Sequence, residues 1–108
     1  MTLAQVRRLA LALPEAAEAP HFDYASWRVR KRIFATAPPD GKHLHLFVDE
    51  LALEQAAAAG HPWLEKKFWG KMAYLRVSLA KADAKVVAGL LERAWTGKAP
   101  AKLLKERP

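Results

Sequence analysis

Apolar residues recur with two spacings along this chain, and the spacing changes at recognisable stop signals. Leu3, Val6, Leu9, Ala10 and Leu13 follow the three-to-four spacing of one helix face. Thr2 stands where it can cap the first turn, and Arg7 and Arg8 fall off the stripe. Pro14 closes that helix, because proline cannot continue the hydrogen-bond ladder. From 17 to 48 the pattern is that of strands. Glu18 to Phe22 reads as an edge strand broken by Pro20. Ser26 to Val29 and Arg32 to Ala37 read as two strands about a turn near Arg30-Lys31, and Pro38-Pro39-Asp40-Gly41 as a second turn. His43 to Val48 alternates, with Leu44, Leu46 and Val48 on one face and His43, His45 and Phe47 on the other.

Helical spacing then returns. Asp49 caps a helix through Ala59 that Gly60 stops, with Leu53, Ala56 and Ala57 as its apolar side. Leu64 to Phe68 and Met72 to Val77 form a last hairpin turning at Trp69-Gly70, with Ala73, Leu75 and Val77 inward. A third helix runs from Lys81 to Thr96, with Val87, Leu90, Leu91 and Ala94 inward and Gly97 as its stop. A short basic tail helix, Ala101 to Glu106, follows Pro100. This order predicts an α+β fold, a single antiparallel sheet with helices packed against it.

Composition narrows the picture. At 108 residues the chain is one domain, long enough to bury a core, and 52% apolar with 27% charged residues suits a globular protein. The absence of cysteine excludes disulfides, thiolate metal sites and cysteine nucleophiles. No apolar run reaches the roughly 20 residues that span a bilayer, and the N-terminus lacks the basic-then-apolar order of a secretory leader. A cytoplasmic location is the expectation. Asparagine is absent while Ala, Leu, Arg and Pro are plentiful, a bias that fits a thermophilic or a GC-rich source. The net charge of +7 is uneven: residues 1–54 hold 7 basic and 7 acidic side chains, residues 55–108 hold 11 and 4. A cation excess in one half points to a polyanion-binding face or to a solvated basic surface.

Two stretches concentrate that charge with aromatic rings. Lys66, Lys67, Lys71 and Arg76 have no acid among them and flank Trp69. On a hairpin they can follow a phosphate backbone, with Trp69 stacking on a base or wedging into a groove. The same residues would also serve as lysines blunting a sheet edge beside a half-buried ring. Upstream, Arg28, Arg30, Lys31 and Arg32 follow Trp27, and the three arginines share one face if the strand runs straight. That reads equally as phosphate recognition or as a solvated hairpin tip.

Other chemistry has little support. His43 and His45 share a strand face, but neither they nor His21 or His61 meet a carboxylate or thiolate at a diagnostic metal spacing. Ser26 and Ser78 lie in no nucleophile elbow, and there is no phosphate-binding or dinucleotide glycine motif, so no catalytic residue, metal or cofactor is assigned. Tyr24, His43 and His45 could line a small-ligand pocket. Trp63, Trp69 or Trp95, if exposed, would anchor a protein partner or a homodimer.

The order of residues resembles the MmcQ/YjbR family of small bacterial proteins. The likeness runs from Leu13-Pro14-Glu15 through Trp27-Arg28-Val29, Lys31-Arg32-Ile33-Phe34-Ala35 and the Asp40-Gly41 turn to Val48. It continues in Trp69-Gly70-Lys71, Leu75-Arg76-Val77, Leu90-Leu91-Glu92-Arg93-Ala94-Trp95 and Ala99-Pro100-Ala101-Lys102. The resemblance implies a secretion-chaperone-like α+β fold with two exposed hairpins, a double wing, and DNA binding without catalytic residues. Arg28, Arg30, Lys31, Arg32, Lys66, Lys67, Trp69 and Lys71 are the positions onto which the wing idea carries. Relatives favour a glycine near Arg30-Lys31, which this chain lacks. The expectation is binding of nucleic acid, duplex DNA first, with slight sequence specificity, since no helix with base-reading side chains stands out. A protein-interaction or homodimer module is the alternative.

Overall fold

The computed structural model describes residues 1–106. Thr2 caps α1 (Leu3–Leu11) through a reciprocal pair: the Gln5 amide donates to the Thr2 hydroxyl, and Gln5 Oε1 accepts from the Thr2 amide at 2.8 Å. The helix ends three residues before Pro14. Six strands follow the first helix: β1 (Ala16–His21), β2 (Tyr24–Val29), β3 (Arg32–Ala37), β4 (His43–Leu46), β5 (Leu64–Trp69) and β6 (Met72–Ser78). They form one antiparallel sheet in the order β1-β2-β3-β4-β6-β5. Pro20 does not break β1. It pairs with Ala25 on an edge strand, where a missing backbone N–H is tolerated.

Between β4 and β5, α2 (Glu50–Ala59) is capped by Asp49, whose carboxylate accepts from the Ala52 amide at 2.9 Å. Gly60 ends it at φ 71°, a left-handed conformation that costs glycine little. Its inward residues are Ala52, Leu53 and Ala56, while Ala57 is exposed. After β6 comes a 3-10 turn, Leu79–Lys81, so the third helix starts later than its apolar spacing suggests. Asp83 caps α3 (Ala84–Lys98), accepting from the amides of Lys85 and Val86. Gly97 lies within α3 rather than ending it, and the turn to Pro100 stops the helix. Helix α4 (Ala101–Glu106) closes the described chain.

Trp27, Val29, Leu44, Leu46, Leu75 and Val77 point from the sheet into a core shared with Val6 of α1 and Val87, Leu91 and Trp95 of α3. Both central indoles keep a polar partner, as burial of an N–H requires. Trp27 donates to Glu18 at 3.0 Å and Trp95 to the Pro14 carbonyl at 2.9 Å. The helices lie against this one face. Among the described residues no helix is long and apolar enough to cross a membrane.

Candidate functional site

Because neighbouring strands alternate in direction, β2 and β5 run the same way. Their hairpins with β3 and β6 therefore turn at the same end of the sheet, around Arg30-Lys31 and Gly70-Lys71. Strand β4 lies between them and leaves the sheet at Leu46. The first turn is made without glycine: Arg30 and Lys31 both take positive φ, 49° and 68°. The second places Gly70 at φ 60°, so its turn residues are Gly70 and Lys71, one position beyond the expected pair.

The cations of these hairpins do not form a single row. The two-residue turn pairs Val29 with Arg32 and Arg28 with Ile33, and only beyond them does a bulge shift the register so that Trp27 pairs with Ala35. Arg28 and Arg32 consequently face opposite sides of the sheet, which corrects the straight-strand expectation. Arg28 folds back over β1, donating to the Ser26 hydroxyl at 3.1 Å and the Pro20 carbonyl at 3.2 Å. Arg30 makes a two-pronged ion pair with Glu15 at 2.6 and 3.0 Å, and this hydrogen bonding holds the Glu15 carboxyl below its usual range. Arg32 donates to the Lys98 carbonyl at 3.3 Å.

On the other hairpin, Lys66 faces the helix side and pairs with Glu54 of α2 at 3.0 Å, and Lys67 pairs with Glu65 at 3.3 Å. Among the described residues, Arg28, Lys31, Arg32, Lys71 and Arg76 have no carboxylate within ion-pair distance. Lys31 and Lys71 are exposed at the two tips. Trp69 is 70% exposed, whereas Trp63 and Trp95 are buried and cannot anchor a partner.

Among the described residues no element covers the sheet face away from the helices. One transverse row of that face reads Ser26, Thr36, His45, Arg76 and Glu65, each opposite the next across the strands. Rings surround it: His45 lies 4.9 Å from Tyr74 and 6.1 Å from Tyr24, and Phe47 lies 6.1 Å from Tyr74, between centroids. Burial, and then the neighbouring Arg76 charge, pushes the His45 imidazole below its ordinary pKa, so it is neutral at neutral pH. Arg76 Nε is buried without a hydrogen-bond partner.

A pocket of about 680 Å³ opens on this face. Its floor is Thr36 and His45, and Tyr24, Ile33 and Phe47 form its walls. Trp69 and Met72 stand at the hairpin end together with Lys98 from α3, and His21, Phe22 and Asp23 stand at the opposite turn. Phe22 is 92% exposed and held at φ 58°, an unusual conformation for a bulky side chain. Tyr24 and His45 were legible in the sequence as pocket candidates. His43 is not in the pocket lining; its Nδ1 lies 2.6 Å from Asp40. Thr36 and Met72 are signalled in the sequence only by alternation in β3 and β6, and Phe47 only by continuing the alternation of β4, whereas nothing local marks Lys98, which reaches the pocket from α3. Among the described residues no three His, Asp or Glu side chains gather as a metal site.

Fold and site together define a small α+β domain with helices on one sheet face, an aromatic pocket on the other and two basic hairpins at one end. The YjbR family model matches residues 11–96, and the chain belongs to that family. The fold is similar to the crystal structure of the Deinococcus radiodurans protein DR2400, whose domain is described as DUF419. That likeness has a TM-score of 0.71 at 20% sequence identity over 87% of this chain and 75% of the other. No functionally curated protein matches.

Proposed function

We propose that the protein binds nucleic acid at the sheet end where both hairpins turn, with duplex DNA as the first polymer to test. The observation that carries this reading is the placement of Lys31 and Lys71 at two tips on the same end of the sheet, without acidic partners among the described residues, with Trp69 exposed beside Lys71. Phosphates would sit against the tip cations, assisted by Arg28 and Arg32. Arg30, Lys66 and Lys67 are already neutralised by Glu15, Glu54 and Glu65, so they contribute less than their number suggests. About four phosphate contacts correspond to a log K against log salt slope of about −3.6. Changing Lys31 and Lys71 to Ala should flatten that slope by about 2 and weaken binding at low salt. A slope unchanged in this double variant rejects the tips as the phosphate site.

A second reading has its own support. Phe68 and Trp69 are both exposed on β5, an edge strand with one side unpaired. Such a strand suits pairing with another chain, including a second copy. Light scattering across a hundredfold concentration range tests this for self-association. A mass fixed at that of one 12.1 kDa chain removes the homodimer.

A further inference from the structure

The pocket on the open sheet face has a chemistry that the hairpin cations do not explain. Its volume, about 680 Å³, lies within the range of small-ligand sites, about 300–1,000 Å³. Thr36 and His45 on its floor are 4% and 9% exposed, and among the described residues neither side chain hydrogen-bonds to another protein group. Each offers both a donor and an acceptor, the hydroxyl by rotation and the neutral imidazole through its two nitrogens. A wholly apolar occupant would leave both unpaired and dry, which is costly. A deeply seated anion would want a cation on the floor, and Arg76, although it pairs with His45 across the strands, does not line the pocket. The occupant that fits is flat and uncharged, with ring faces for Tyr24 and Phe47 and a polar edge for the floor.

Charge at the rim completes the description. Lys98 stands at the hairpin end and Asp23 at the opposite turn. A negative group attached to the flat body is attracted to the Lys98 end and repelled from the Asp23 end. Trp69 at the same lip offers a second stacking surface. We propose that the pocket takes the base of an unpaired nucleotide, its polar edge on Thr36 and His45 and its phosphate toward Lys98 and the hairpin tips. This rests on the nucleic-acid reading and deepens it: a base within a duplex cannot enter, so the preferred polymer is single-stranded. A free nucleotide presents the same chemistry, and the experiment below separates the two sources.

Fluorescence anisotropy of a labelled single strand is measured beside the matched duplex, the same strand with abasic positions, and competing nucleoside monophosphates. Thr36→Val with His45→Leu removes the floor partners, and Tyr24→Ser, at a half-buried wall position, serves if the double variant melts early. The single strand should bind about tenfold tighter than duplex or abasic strand, the scale of one stacked base. The variants should lose that advantage while keeping the salt slope. Equal affinity for all three polymers, unchanged in the variants, overturns the pocket assignment and leaves the nucleic-acid reading standing. Monophosphate binding that the variants abolish, with no polymer bound, supports the base pocket and removes the polymer. Binding of neither overturns both.

Discussion

His45 shows how one residue's surroundings set its chemistry. In isolation an imidazole titrates near 6.5, but here burial and the Arg76 charge favour the neutral form, with the His43 charge adding and Asp40 opposing. The unfolded chain therefore binds this proton at a pH where the folded chain does not. Folding stability must rise with pH through the window below 6.5 and fall as the solution is acidified through it. Histidine resonances followed by NMR should show the His45 midpoint below the ordinary value. In His45→Gln, the part of the stability slope between that midpoint and 6.5 should disappear. A His45 that titrates at or above 6.5 would contradict the neutral pocket floor.

At the scale of elements, hairpins and caps carry most of what the sequence makes legible. Thr2, Asp49 and Gly60 act within a few residues, and each marks a helix end as its local chemistry predicts. What escapes is set at longer range. Gly97 stays helical because the helix stop is supplied by the turn into Pro100, and Arg32 faces away from Arg28 because the hairpin turn pairs it with Val29. Lys66 has no acid between it and Arg76 in the sequence, yet α2 brings Glu54 against it, a contact no local pattern encodes. The first hairpin turn is a case where local preference is overridden. Lys31 holds φ 68°, where a side chain costs about 1–2 kcal/mol that glycine avoids, less the entropy glycine loses on folding. Lys31→Gly should therefore raise stability by about 0.5–1 kcal/mol in denaturant melts while weakening polyanion binding. A destabilised variant would mean that the Lys31 side chain supports the turn.

For the whole molecule, sheet order decides what the parts can do together. The fold class follows from the element order, but the order β1-β2-β3-β4-β6-β5 does not, and it is this order that sets both basic tips at one end. The meander β1–β3 and the hairpin β5–β6 each close over a short span of chain. They meet through β4, where His43 pairs with Ser78 and Leu46 with Leu75 across the whole of α2. Closing that span is entropically the costliest step in the sheet, so its formation should limit the folding rate. Leu44→Ala, fully buried on β4, should cost about 2–5 kcal/mol, with much of the loss appearing as slower folding. A loss seen only as faster unfolding would place this ladder after the barrier. The same strand acts as a ruler: each hairpin closes locally, but the β4 ladder fixes the span between their tips. A variant that loosens β4 would keep every cation and still lose the fixed distance between the two tips.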